Sequence, residues 1–503
     1  MTGNRAHAET ESAISKQMEN NLLWLEKIFD RCHDVAFEPF RFGPELAHSA
    51  FAVYCRSLVK NSHNEFVEDV LQQLAGRQPG AVEAVSIEQV IHFLSSHGAA
   101  SQPFYRLSSL QGVENAVWLG HVVILFQGWD QAIAYKAAEF EKRQVTEPTS
   151  EPVVQGPREG TVESLSVNLG MIRQRVKSSR LKMEFIRAGS VMKTNIVYAY
   201  LDQAVDQEVL REFRSRIGDI DTYEVLDTSY VEDWIQDSNY SPFPQHRITE
   251  RTDTAAAALL DGKILILVEN SPMILICPAV FVDFFNTSED YYVRTMYAIL
   301  IRQLRLVAFF IALTLPSIYI ALSTFHPELI PTVLLLAILD TREDIPFPAF
   351  FEALIMEVSF ELLREAGIRL PRPVGSAVSI VGALVIGQAA IMAKIASPTM
   401  VIIVAFTGIA SFAIPHYDMA IAIRVLRFPF MIASGMLGGY GLMLGFLLTL
   451  LHLTSLHTLG VPFLSSLAPL CIQDLRDVFI RAPLKTFLRI PRNRRLHRSG
   501  HNQ

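Results

Sequence analysis

From Asn20 the run NLLWLEKIF spaces its apolar residues three and four apart, the period of an amphipathic helix. SAFAVYCRSLV then reads as a strand, and NEFVEDVLQQL and SIEQVIHFLSS return to helical spacing. AVWLGHVVILFQGWDQAIAY reads as a β-hairpin, two apolar runs joined by a short glycine-containing turn. The same order comes back later: NIVYAYLDQAV is a strand, DQEVLREFRSRI a helix, and ALLDGKILILVENSPMILICP a hairpin. The separation of Tyr54 from Gly120 is nearly that of Tyr198 from Gly262. Matching order at nearly matching spacing predicts two related α/β subdomains. Between them, Pro, Glu and Thr mark a linker, the turn QGPREG follows, and TVESLSVNLGMIRQRVKS is an amphipathic connecting helix.

Beyond residue 300 the pattern changes. Leu306 to Phe325 contains no Asp, Glu, Lys or Arg and is long enough to cross a bilayer core, with Pro316 a candidate kink. Leu329 to Leu339 is apolar but too short to span. Val374 to Ala393 and Thr399 to Ile414 are further spans. Phe428 to Gln473 is likewise free of these four residue types, with room for one long span to about Leu453 and a return broken at Pro462 and Pro469. Its segment SGMLGGYGLMLG has the small residues that close helix contacts require.

One stretch contradicts its surroundings. FPAFFEALIMEVSFELLREAG, Phe347 to Gly367, is helical and apolar yet carries Glu352, Glu357, Glu361, Arg364 and Glu365. Two placements are open: flat on the membrane surface with its charges solvated, or across the membrane beside a water-filled path. Basic residues favour the cytoplasmic side. Arg302 and Arg305 stand before the first span, Arg369 and Arg372 before the second, and Arg424 and Arg427 after the third. If the front domain, the later two groups and the basic tail are all inside, the chain must cross back between 326 and 368, and the acidic helix, alone or aided by 329–339, is the segment best placed and long enough to do it. Glu357 and Glu361 are one turn apart on one face. In a ring of subunits they would stack as two acidic tiers favouring cations, with Val358 and Leu362 an apolar gate and Glu365 the next acidic position. The pairing of Glu361 with Arg364 or Glu365 along the helix is the structural alternative.

The fold class expected is therefore an α+β soluble N-terminal region of two related α/β subdomains, followed by an all-α polytopic membrane domain. The boundaries are 1–19 for a mobile N-terminus, 20–141 and 181–300 for the subdomains, 142–180 for the linker and connecting helix, 301–475 for the transmembrane domain and 476–503 for a basic cytoplasmic tail. Residues 1–300 carry 27 Lys and Arg against 40 Asp and Glu, which argues against nucleic acid as a partner; residues 301–503 carry 17 against 11. Seven basic residues and no acid follow Asp477, suiting a tail held at anionic lipid headgroups. Cys32, Cys55, Cys277 and Cys471 are far apart and suggest neither a disulfide framework nor a metal site. No secretory signal opens the chain. Gly156, Pro157, Arg158, Glu159, Asn168 and Arg173 are expected to form an inter-subdomain motif, read as a structural clamp rather than a phosphate site. No nucleophile–base pair, metal-ligand spacing or phosphate loop stands out, and His326, His416, His452 and His457 read as polar contacts at span ends. An enzyme, a cofactor and a bound metal are not expected.

Several long runs carry a resemblance: EPVVQGPREGTVESLSVNLGMIRQRV, RTDTAAAALLDGKILILVENSPMILICP, FFNTSEDYY, PFPAFFEALIMEVSFELLREAGIRLPRPVG, AVSIVGALVIGQAAIMAKIASPTMVIIVA and HTLGVPFLSSLAPL. Together they cover about residues 20–485, and the chain resembles the A subunits of spore germinant receptors, the GerA family of endospore-forming bacteria. Thr161, where the family usually has an aromatic residue after GPREG, is a local departure. The resemblance implies a multi-pass protein of the spore inner membrane with its N-terminal domain and C-terminal tail on the core side. It implies a homo-oligomer working with a transporter-like B subunit and a lipoprotein C subunit, sensing small nutrients and passing monovalent cations. A non-conducting scaffold or signal relay in the same receptor is the alternative.

Overall fold

The computed structural model of the chain describes residues 13–42, 48–59, 104–137, 147–148, 150–370, 382, 385–465, 467–468 and 480–481. Two compact units divide it: one takes Met1–Ile235, Ile248–Pro278 and Arg492–Gln503, the other Gln236–Arg247 and Ala279–Pro491.

The first unit is α/β and is built twice. Helix α1 (Met18–Ile28) leads into β1 (Val35–Phe42), β2 (His48–Cys55), β3 (Tyr105–Leu107), α2 (Leu110–Trp118), β4 (His121–Phe126) and β5 (Ala132–Lys136). The second copy runs α3 (Leu165–Arg175), β6 (Leu181–Ala188), β7 (Thr194–Leu201), α4 (Gln207–Ile217), α5 (Thr228–Ile235), β8 (Arg247–Thr249), α6 (Thr252–Leu260), β9 (Ile264–Val268) and β10 (Ile274–Cys277). Strand order is β1-β2-β4-β5-β3 in one sheet and β6-β7-β9-β10-β8 in the other, the same topology. The helices expected over NEFVEDVLQQL and SIEQVIHFLSS lie outside the described residues.

The correspondence extends to single atoms. The Asn21 amide brackets the backbone of Ser15, accepting its N–H at 2.8 Å and donating to its carbonyl at 2.7 Å. Asn168 does the same to Val162 at 2.8 and 2.6 Å. Helix α3, read from sequence as a connector, thus takes in the second copy the place of α1 in the first. Gly120 and Gly262 each follow the copy's 9-residue helix with φ of 77° and 81°, a left-handed turn where a Cβ is penalised. In each copy that helix packs on one sheet face: Val113 and Val117 over Val53 and Val123, and Ala255 and Leu259 over Val197 and Leu265.

Strand register corrects one alignment. Val35 faces Cys55 and Leu181 faces Leu201, so Tyr54 corresponds to Tyr200 and not to Tyr198. Landmark spacing also counts loop residues, and the intervening segments differ in length. Tyr54 donates to Glu38 at 2.6 Å, and Tyr200 to Glu184 at 2.8 Å. Glu184 also accepts from Tyr198 at 2.5 Å and from Arg214 at 2.5 Å. Burial works against this carboxylate, but the hydroxyl and guanidinium donors outweigh it and hold it below the usual carboxyl range. Burial and the bond to Glu184 push the Tyr198 hydroxyl up to about 12.

A folded-state value below the unfolded one means that the Glu184 contribution is complete above the unfolded value, 4.5, and is lost as pH falls through the folded one. Glu184→Gln should cost about 2 kcal/mol at pH 7. The gap to wild type in urea midpoint should close as pH falls below 4.5; a gap that stays constant on acidification would show that the carboxylate's charge is not what stabilises the cluster.

The second unit is helical: α7 (Thr295–Thr324), α8 (Thr332–Arg342), α9 (Ala349–Arg369), α10 (Pro398–Phe412) and α11 (Tyr417–Ser455). Two of these, α7 and α11, are long and apolar enough to cross a membrane. Pro316 stands inside α7, which continues on both sides of it. The sequence pattern predicts a continuous span to about Leu453, but α11 breaks at Gly438, where φ is 60° and ψ −139°. The chain doubles back there. Phe430 and Phe446 stack edge-to-face with centroids 5.3 Å apart, far closer than two such distant positions of a straight helix could come. The limbs are therefore 417–437 and 439–455, and the glycines of SGMLGGYGLMLG make the bend and the close approach.

Contacts fix the level of each segment. At one end, His416 faces the Asn286 carbonyl, and Phe309, Ile414, Met419, Leu453 and Phe463 share a core. At the other, a Cβ on Gly438 would stand 2.7 Å from Phe325 and one on Gly439 3.2 Å from His326. Helix α7 and the two limbs of α11 all run between these ends. Helix α9 does too, since Phe350 sits against Gly435 and Glu361 against Arg424. Half of the span expected at Val374–Ala393 lies outside the described residues; in the rest, Gly382 faces Leu363, while Ala390 shares a core with Met356 and Met400. Of the basic tail, only residues 480 and 481 are described.

Candidate functional site

The acidic helix α9 begins directly after Pro348, whose fixed φ suits a helix start. Its inward face is Ala349, Glu352, Ala353, Met356 and Glu357, all buried and spaced by three and four residues. The small and flexible members of that set let α9 approach its neighbours, and the two carboxylates on it need partners.

Each has one. Glu357 accepts from Arg427 Nη1 at 2.6 Å, with both side chains essentially inaccessible, and Arg427 Nε donates to the Ala312 carbonyl of α7 at 2.8 Å. One turn along, Glu361 accepts from Arg424 at 2.9 Å. The two rungs tie α9 to the first limb of α11 in antiparallel register. Glu352 accepts the N–H of Ser397 at 2.6 Å together with its hydroxyl, so it fastens the N-terminus of α10, and Arg342 Nε lies 3.6 Å from its other oxygen. Arg364 lies over the Phe412 ring, 4.6 Å from its centroid. Glu365 is exposed and pairs with Arg369 on its own helix at 2.6 Å.

The sequence-predicted residues therefore divide. Glu357 and Glu361 do share a face, but in this chain that face turns inward onto arginines. Val358 and Leu362, with Phe351 and Ile355, form an exposed apolar stripe down the opposite side, and Glu365 ends it. The sequence reading takes Arg424 and Arg427 only as topology markers after the third span. Their three-residue separation, matching the one-turn separation of Glu357 and Glu361, is the signal for a ladder. Among the histidines, His452 bonds Ser241 at 2.9 Å and His416 precedes α11, the polar contacts expected of them.

The inter-subdomain motif also divides. Arg173 of α3 reaches across to the first copy, holding Asp34 through two bonds of 2.6 and 2.8 Å and lying 4.2 Å from the Trp118 ring centroid. Asn168 acts within its own copy. Gly156 turns with φ of 126°, and the Pro157 carbonyl accepts from Arg251 at 2.9 Å. Arg158 and Glu159 make exposed pairs with Glu147 and Arg175. The motif is structural support around one buried ion pair. Burial pushes the nearby thiols of Cys32 and Cys55 up, leaving them protonated and unreactive.

The family model described as Bacillus/Clostridium GerA spore germination protein matches residues 24–493. Spore germination protein KA of Bacillus subtilis (strain 168) is 42% identical over 472 residues, covering 93% of this chain and 85% of that protein. YfkQ, an uncharacterized membrane protein of the same organism, is 41% identical over 480 residues, covering 95% and 91%. Spore germination protein A1, also from that organism, is 40% identical over 366 residues, covering 73% and 76%. Among solved structures, the N-terminal domain of the A subunit of the Bacillus megaterium spore germinant receptor GerK3 aligns with a TM-score of 0.41 at 22% identity, covering 54% of this chain and 98% of that one.

Proposed function

The chain belongs to the GerA family of spore germination proteins, and we propose that it is the A-type subunit of a nutrient receptor in the spore inner membrane, working as an oligomeric, nutrient-gated channel for monovalent cations. The observation that carries this reading is α9: a charged helix that runs the full depth of the helical unit, satisfies its inner carboxylates on Arg427, Arg424 and Ser397, and turns an apolar stripe outward. Counted by level, α7, α9, the chain through Gly382 and Ala390, α10 and the two limbs of α11 make six passes and return the chain to the end where it entered. A lumen between subunits would then be faced by Phe351, Ile355, Val358 and Leu362, closing by dewetting. A transporter-like B subunit and a lipoprotein C subunit are the expected partners.

The second reading, a non-conducting relay, is favoured by one observation: the carboxylates best placed for cation selection are already neutralised. Ion flux separates the two. The purified chain, alone and with its partner subunits, is reconstituted into potassium-loaded liposomes. Leu362→Asn wets the stripe at a position 66% exposed, so the fold should tolerate it and potassium should leak severalfold faster without nutrient. Nutrient-dependent flux that neither Leu362→Asn nor Val358→Asn alters would remove α9 from the path. No flux from a verified, nutrient-binding complex would leave the relay.

A further inference from the structure

The contact between the two copies has a direction. The segment ahead of β1 lies along the outer edge of β6: Met183 donates to the Arg31 carbonyl and accepts from the His33 N–H, both at 3.0 Å, and Lys182 Nζ reaches the Ile28 carbonyl at 3.3 Å. Arg173 of α3 closes the joint on Asp34. Because the unit is duplicated, every part of this joint has a counterpart on the opposite flank. The counterpart of β6 is β1, also an edge strand, in which Phe37 takes the place of Met183. The lead-in 28–34 corresponds to the segment between α3 and β6. The counterpart of Asp34 is Arg180, and that of Arg173 is Glu26.

Among the described residues these opposite-flank parts are unfilled. Helix α3 buries every residue from Val167 to Arg173, whereas α1 buries Asn21 and Leu25. Leu23, the counterpart of the buried Gly170, is 65% exposed. Glu26 and Arg180 are both exposed, and neither forms an ion pair among the described residues. Their charges are opposite to those of Arg173 and Asp34, but they remain complementary to each other. Pro39 lies in the open edge strand β1, where a residue without an N–H is tolerated.

We propose that a second copy of this chain docks here head-to-tail, its segment 176–180 lying along β1 so that Arg180 of one chain meets Glu26 of the next. The contact repeats between chains the joint already made within one. It is heterologous, and such contacts generate rings when the rotation closes. The inference rests on the oligomer in the functional reading above and assigns that oligomer a surface.

The test uses two full-length chains carrying different tags, one Glu26→Cys and one Arg180→Cys, co-expressed, purified in detergent and treated with a short bis-maleimide. The parent chain with its four native cysteines is the control. The expected product is a covalent species carrying both tags, absent from the parent and from either variant alone. Glu26→Arg should reduce the oligomer fraction measured by light scattering, and adding Arg180→Glu should restore it. A chain shown to be oligomeric that yields no mixed-tag product, or that links Glu26→Cys to itself, overturns the head-to-tail surface while leaving the oligomer standing. A chain that is monomeric alone and with its partner subunits overturns both.

Discussion

Arg427→Leu is expected to cost the helical unit about 3–5 kcal/mol, because it leaves the Glu357 carboxylate fully buried without a counter-charge. The loss is larger than that of an ordinary ion pair for two reasons. Glu357 has no access to solvent, and Arg427 also holds the Ala312 carbonyl, so one substitution loosens α7, α9 and α11 together. The measurement is the yield and thermal midpoint of detergent-solubilised protein. Adding Glu357→Leu should recover most of the loss, since the penalty lies in the orphaned charge rather than in the missing attraction. A double variant no better than the single would mean that the pair acts through a specific geometry that apolar packing does not replace. Arg424→Leu should cost less, because Arg424 and Glu361 keep partial access to water.

The second large effect belongs to the other unit. Arg173→Met should cost about 3–5 kcal/mol, a third or more of the stability of a typical domain. Asp34 is inaccessible and receives two of its hydrogen bonds from this guanidinium and a third from the Cys55 thiol at 3.3 Å. The Trp118 face loses its cation as well. Urea unfolding of the purified chain reads the change. Arg158→Met is the control from the same motif: its pair with Glu147 is exposed on both sides and should be worth well under 1 kcal/mol. Equal costs for the two substitutions would show that burial does not set the hierarchy within the motif.

Much of this architecture is legible in the residues. Periodicity marks α1 and α4, each with one dry face and one wet one, while β2, β7 and both hairpins stand out as short, continuous apolar runs bounded by turns. The duplication is visible as an order of elements, but its register is not, since Tyr54 and Tyr198 are matched by composition while only hydrogen bonding identifies Tyr200. Helix α6 escapes for the opposite reason: TDTAAAALL is buried on much of its surface and carries little contrast. The break at Gly438 lies in a run of uniform hydropathy, where a straight helix and a hairpin have the same composition. The charged helix stands out, and its period puts Glu357 and Glu361 on one face. Which way that face turns depends on Arg424 and Arg427, in a different helix far along the chain, and no local pattern carries such a contact.

The ladder also changes how the helical unit would look to an ion. Glu357 and Glu361 are matched inside by Arg427 and Arg424, and Glu352 by Ser397 with Arg342 beside it. In the channel reading, a potassium ion passing the stripe of Val358 and Leu362 would meet a wall whose carboxylates are already matched. Any preference for cations would then have to arise at the rims, where Glu365 closes one end of the stripe and Asp340 and Glu343 stand at the end of α8. If the helical unit conducts, this acidic helix would supply depth and stiffness, and the sorting of charge would fall to the residues at its two ends.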